Sequence, residues 1–369
     1  MTSKERMLRA LSRQIPDRLP ATVHQWQPYH LQNYLDGVSD LDAFRRFGLD
    51  ASLARFPLKA TPTPDWVTEV RELDAPEGEW RNQFIIRTPG GELEHTIGRN
   101  PITQWQITHL IKRPEDLELV DRYHPIPQLD RKALEYDYRQ LGEDGIMRGF
   151  VMGNQGGCWQ DAACLMGTTE LILAAADDPS WVHELLSVLL RKKLEFVHES
   201  LPGAHYDIIE TGGGAASSTV ISPKYYREFC LPYDRRMHDE LHNIGHKAVY
   251  HTCGGMMPIL ELIVENGCDA CETLTLPSMG GDARPAELKK RIGGSVALIG
   301  GVDQNSVLEV GTKEQIYEHV HELFDDYGPN GGYLMSPSDH FFHVPAKNMQ
   351  HYADAARECI YSNSGIAAQ

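Results

Sequence analysis

Eight short runs rich in β-branched and apolar residues recur along this chain, and amphipathic helical patterns fill the intervals between them. That alternation belongs to βα units laid side by side in one parallel sheet. The runs lie at residues 19–24, 50–56, 146–153, 206–211, 247–251, 269–274, 295–300 and 332–336, the last five being the most sharply bounded. Over 179–199, Trp181, Leu185, Val188, Leu189, Phe196 and Val197 recur at three-to-four spacing, which predicts a helix with one apolar face. Ser222 and Pro223 combine an N-cap hydroxyl with a proline suited to the first helical position, predicting a helix to Asn243 with an interruption at Pro232 and Gly245 as its stop. Further helices are expected at 258–266 and 286–291. Eight strands with helices between them predict an α/β chain folded as a (β/α)8 TIM barrel, one domain over residues 1–369.

One long departure interrupts the pattern, residues 57–144. Within it, 80–87 and 92–96 flank a Thr-Pro-Gly-Gly turn and read as a β-hairpin, and 113–119 reads as a short helix. The region is expected to form an insertion acting as a lid on the barrel rather than a separate domain.

Composition excludes several partners. A formal net charge of −17 lacks the concentrated basic surface that nucleic acid requires. It also disfavours a substrate with many carboxylates unless a local basic pocket compensates. No apolar run approaches the roughly 20 residues needed to span a bilayer, and Met1-Thr-Ser-Lys-Glu-Arg6 lacks the apolar core of a secretory signal. Seven scattered cysteines, an odd number, do not form a disulfide framework, so a reducing cytoplasm is the expected location.

In such barrels the working groups sit at and just after the C-terminal ends of the strands. Those positions hold His24, Gln155, Asp207, Glu210, His251, Cys253, Glu272, Asp303, Asp339 and His340. His251-Thr-Cys253 is the sharpest pattern, because imidazole nitrogen and thiolate sulfur two residues apart at a strand end can face one zinc ion. Glu272 is the expected third ligand, with Asp339 and His340 as alternatives. The competing reading makes Cys253 a small buried hydrophobe and His251 a core or substrate-positioning group. Cys268 and Cys271 lie three apart, so on a strand their thiols diverge and read as structural. Asp207 and Glu210 likewise face opposite sides of a regular strand, and Glu210 is the better placed for the mouth. Glycines 212–214 permit close approach of the backbone to a ligand, or simply form a loop at the barrel mouth. His24, Gln25 and Trp26 open an amide-rich aromatic cluster suited to a small aromatic or ether-like ligand, with packing beneath the lid an equal account of Trp26.

Several segments in order, Ile221-Ser-Pro-Lys-Tyr-Tyr-Arg-Glu-Phe-Cys-Leu-Pro-Tyr233, His251-Thr-Cys-Gly-Gly255, Gly267-Cys-Asp-Ala-Cys-Glu272, Leu298-Ile-Gly-Gly-Val-Asp303 and Gly331-Gly-Tyr-Leu-Met-Ser336, resemble the uroporphyrinogen decarboxylase superfamily. The true decarboxylases carry an arginine-rich clamp after the first strand, where this chain has His24-Gln-Trp-Gln-Pro-Tyr29 and no arginine. The resemblance therefore points to the corrinoid-dependent methyltransferase branch, whose thiol-methylating members bind zinc through a His-x-Cys pair and a later cysteine. His251 and Cys253 match the pair, and Ser338 stands near the place of the later cysteine. A zinc ion with one thiolate fewer is harder and suits an ether or hydroxyl oxygen.

The resemblance thus implies transfer of a methyl group from a small O-methyl donor to a corrinoid. Glu210, Asp339 or His340 would assist the departing oxygen, and His24, Gln25, Trp26, Gln155 and Asp207 would bind the donor. No Asp-x-His-x-x-Gly motif occurs, so the corrinoid is expected on a separate partner protein. A homodimer is expected from the habit of such barrels. The alternative is a lyase or hydrolase acting on another small molecule without metal.

Overall fold

The computed structural model describes residues 1–153 and 156–361. In chain order its strands are β1 (Ala51–Ala54), β2 (Leu58–Lys59), β3 (Val67–Leu73), β4 (Trp80–Thr88), β5 (Gly91–Arg99), β6 (Gln104–Thr108), β7 (Gln128–Leu129), β8 (Gly145–Phe150), β9 (Ile208–Gly212), β10 (Ala248–His251), β11 (Ala270–Thr273), β12 (Ala297–Val302) and β13 (Tyr333–Pro337). Seven of them form one curled parallel sheet in the order β1-β8-β9-β10-β11-β12-β13.

The first predicted strand, 19–24, is reduced to a single parallel bridge between Ala21 and Met335. Two local causes cut the ladder short. Pro20 has no N–H to donate, and the Ala21 N–H is taken by the Asp50 side chain at 3.0 Å. The segment still touches both edges of the sheet: Thr22 N donates to Met335 O and Met335 N to Pro20 O, each at 2.9 Å, and Asp50 N donates to Ala21 O at 2.8 Å.

Alternation along the strands sorts the inner face into two levels. Ile146, Ile208, Val249, Ala270, Ala297, Ile299 and Leu334 pack with Met7, Ala10 and Leu11 of the helix Ser3–Leu11, whose start is closed by a Thr2–Glu5 capping box. Two residues further along four of those strands stand Arg148, Glu210, His251 and Glu272, so an apolar plug underlies a polar tier. The outer face carries the larger core, with helices such as Pro179–Ser200 covering it.

Residues 57–144 hold an antiparallel sheet, β3-β4-β5-β6, together with the β2-β7 pair and the helices Pro114–Tyr123 and Arg131–Leu141. The expected hairpin is β4 and β5, joined by a two-residue turn with Thr88 opposite Gly91. The helix begun at Ser222, whose hydroxyl accepts from Tyr225 N at 3.2 Å, passes through a π-helical turn at Tyr226–Cys230 before Leu231–Asn243. The wider turn sits just ahead of Pro232, which lacks the N–H needed for the regular ladder. Among the described residues no helix is long and apolar enough to cross a membrane.

Candidate active site

The polar tier is held by one guanidinium set between two carboxylates. Arg148 donates to Glu210 Oε2 through Nε at 2.9 Å and through Nη2 at 2.7 Å, and Nη2 also donates to Glu272 Oε1. His251 Nδ1 lies 2.9 Å from the same Glu272 Oε1 and 3.6 Å from Glu210 Oε1. Arg148, Glu210, His251 and Glu272 are each 3% exposed or less, so their charges persist only because they neutralise one another. Burial works against ionised Glu272, yet the charges of Arg148 and His24 outweigh it and hold the carboxyl well below its usual range. Burial also opposes charge on His251, but bonds to Cys253 and Glu272, with the fields of both carboxylates, raise its pKa well above that of free imidazole. Glu272 Oε2 is buried without a hydrogen-bond partner among the described residues, 3.8 Å from His24 Nδ1.

Above this tier the loops after β10 and β13 bring in Cys253, Asp339 and His340. Ligand atoms of His251, Cys253 and Asp339 lie within 4.8 Å of one another, as do those of His24, Asp339 and His340. The His24 ring is 5.3 Å from that of His251 and 5.1 Å from that of His340. Burial and the neighbouring His24 push His340 down to about 4, leaving it neutral near pH 7. Burial acts against ionised Asp339, but His251, His24 and His340 keep its pKa below the usual carboxylate value. Gly212, at φ +79°, turns the chain after β9, and a Cβ there would stand 2.4 Å from His251 O. A Cβ on Gly214 would fall 2.5 Å from Cys253 Sγ. The glycine loop thus closes directly on the His251–Cys253 segment.

Residues 94–359 match the family model for uroporphyrinogen decarboxylase (URO-D). The chain belongs to the uroporphyrinogen decarboxylase family. It is 29% identical over 156 residues to a methylated-thiol–coenzyme M methyltransferase of Methanosarcina mazei, a match covering 42% of this chain and 38% of that protein. It is 24% identical to a uroporphyrinogen decarboxylase of Aliivibrio salmonicida over 96% of both chains. A solved methyltransferase from M. mazei superposes with a TM-score of 0.67 at 17% identity, covering 97% of this chain and 99% of that one, which establishes a shared fold.

Within this family scaffold, the expected site residues separate into three groups. His24, Glu210, His251, Cys253, Glu272, Asp339 and His340 converge, but the expected zinc set of His251, Cys253 and Glu272 is divided. His251 joins Cys253 and Asp339 in one donor group, and His24, Glu210 and Glu272 in another. The cause is Arg148, which together with His251 occupies Glu272 Oε1. Gln25 is exposed at the rim, with Oε1 3.3 Å from His340 Nε2.

Trp26 and Asp207 do not join the cluster. Trp26 is buried among His30, Phe44, Phe47 and Phe341. Asp207 directly precedes the inward-facing Ile208, accepts from Met147 N at 2.7 Å and faces Lys4 at 3.8 Å. Asp303 caps the turn after β12, accepting from Asn305 N at 2.9 Å and Ser306 N at 2.8 Å. Gln155 lies outside the described residues.

Sequence reasoning missed Arg148. Its signal was a lone arginine in Ile146-Met-Arg148-Gly-Phe150, at an interior position of an apolar strand and in step with Ile146.

Proposed function

We propose that this protein moves a methyl group from a small O-methyl donor to a corrinoid carried on a separate protein. The observation that carries the reading is the meeting of His251, Cys253 and Asp339, in a chain whose relatives include methyltransferases. An imidazole, a thiolate and a carboxylate form a set suited to zinc, with a position left for substrate. Glu272 fits the role of an orienting carboxylate on His251 Nδ1, leaving the other ring nitrogen for the ion. In this reading Asp339, not Glu272, is the third ligand. Bound there, zinc would supply Lewis acidity toward the donor oxygen.

The chain's own residues do the rest. Breaking the methyl–oxygen bond leaves an electron pair on oxygen, which must be neutralised by a proton or by positive charge. His340, partly exposed beside Asp339, stands where that oxygen would meet solvent, and Gln25 can hold the donor at the rim. Arg148 and Glu210 keep the floor of the site fixed and dry. The turn between β5 and β6 reaches the segment next to His24, sharing a groove of about 260 Å³ lined by Gln27, Pro28, Tyr29, Arg99 and Asn100. That contact supports a lid role for the 57–144 insertion and makes it a fitting seat for the corrinoid protein.

A metal-free lyase or hydrolase is the second reading, favoured by Arg148 pairing with Glu210 and with Oε1 of Glu272. Elemental analysis of protein purified without chelator, wild type and Cys253→Ala, separates the two. About one zinc per chain, lost in the variant, supports metal-assisted methyl transfer. Methylation of a Co(I) corrinoid protein by methyl ethers then tests the reaction. Metal-free wild-type protein that turns over alone favours the second reading.

A further inference from the structure

His24, His340 and Asp339 form a donor set of their own, distinct in composition from the pair His251 and Cys253. Their ligand atoms lie within 4.8 Å of one another, and they come from the two ends of the chain: His24 follows the bridge at Ala21, and Asp339 and His340 follow β13. Two imidazoles and one carboxylate with open positions are a recognised arrangement for a divalent first-row transition ion, and the absence of sulfur sets such a site apart from a thiolate one. Its exposure is graded in the way a reactive ion site needs. His24 is buried with its Nδ1 3.8 Å from Glu272 Oε2, a buried oxygen without a hydrogen-bond partner among the described residues. The side chains of Asp339 and His340 are 34% and 39% exposed, open to incoming ligands.

We infer that His24, His340 and Asp339 bind a second divalent transition ion beside the one proposed at His251 and Cys253, with Asp339 common to both. A carboxylate has two oxygens and can serve two ions, and paired ions of this kind lie about 3.5–4 Å apart. The unpartnered Glu272 Oε2 adds negative charge toward His24. The site does not require that the methyl-transfer reading be correct, because none of its donors other than Asp339 takes part in that zinc set.

Cobalt(II) titration of the metal-stripped full chain tests the inference, because cobalt bound by a thiolate shows a charge-transfer absorption that nitrogen and oxygen ligands do not give. Wild type is expected to take up about two cobalt ions per chain, and His340→Ala about one with the thiolate absorption intact. Cys253→Ser is expected to keep about one ion while losing that absorption. Wild-type uptake of about one ion, unchanged in His340→Ala, would overturn the second site and leave the first standing. Loss of every ion in Cys253→Ser with its fold intact by circular dichroism would overturn it as well. One ion that depends on His340 and shows no thiolate absorption would uphold the inference while sinking the zinc reading.

Discussion

Arg148 grips Glu210 with two nitrogens on a single carboxylate oxygen, Nε at 2.9 Å and Nη2 at 2.7 Å. The second of these nitrogens also serves Glu272, so one guanidinium bridges both acids of the polar tier, with His251 beside them. Arg148→Met would leave two buried carboxylates with no guanidinium, and breaking a buried pair in this way costs about 3–5 kcal/mol. Arg148→Lys should recover only part of the loss, because an ammonium cannot reproduce the planar fork. Urea unfolding of the three proteins checks both statements, and equal midpoints would refute them.

Gly214 lies against the thiol of Cys253, where a Cβ would intrude to 2.5 Å. Gly214→Ala should therefore displace the sulfur while leaving the distant core intact. On the proposed function, zinc affinity should fall roughly 10–100-fold, the scale of disturbing the surroundings of a ligand. A chelator-competition titration reads this directly, and unchanged affinity would separate Gly214 from the metal site.

His238 is fully buried, with Nδ1 2.8 Å from Asn266 O and Nε2 2.7 Å from Thr211 Oγ1. Burial brings its pKa down to about 4, and burial does the same for His124. Because the folded values lie below the unfolded one, the unfolded chain binds more protons over that interval. The contribution of these neutral rings is complete above about pH 6.5 and is lost as pH falls toward 4, on the order of 3 kcal/mol for each. The unfolding free energy measured by urea between pH 7 and 4 should fall, and His124→Gln should flatten the slope.

Asp50 has no exposed surface and ties three strangers together: Arg6 Nη1 at 2.7 Å, Arg18 Nη1 at 3.0 Å and the Ala21 N–H at 3.0 Å. Asp50→Ala should cost about 1.5–3 kcal/mol, since Arg6 keeps Asp17 as its partner but loses the Asp50 bond, and the 20–22 segment that spans the sheet edges is released. Hydrogen exchange at Ala21 and Thr22 should accelerate more than exchange at β10. Protection lost uniformly across the sheet would show that Asp50 supports the whole domain instead.

Much of the fold was legible along the chain. The expected runs at 206–211, 247–251, 269–274, 295–300 and 332–336 became β9 to β13 with shifts of a residue or two. The helix predicted over 179–199 is Pro179–Ser200, and the one started by Ser222 is present with its irregular turn before Pro232. The flanking strands β3 and β6 escaped notice. β3 is largely exposed on both faces, so it lacks the alternation by which a strand is recognised. The run at 19–24 has the apolar content of a full strand, while the competition of Asp50 for the Ala21 N–H is invisible without the third dimension.

The same division runs through the site. Strand-end position and period-two alternation were enough to single out Glu210, His251, Cys253, Glu272, Asp339 and His340, and to favour Glu210 over Asp207, because those rules act over a few neighbouring residues. Which donor atoms come close to one another is a different matter. It depends on Arg148 reaching 124 positions along the chain to Glu272, and on the loops after β10 and β13 and the segment at His24 meeting above the sheet. Those are distances through space between residues remote in sequence, set by how the strands pack and curl, and only the tertiary structure decides them.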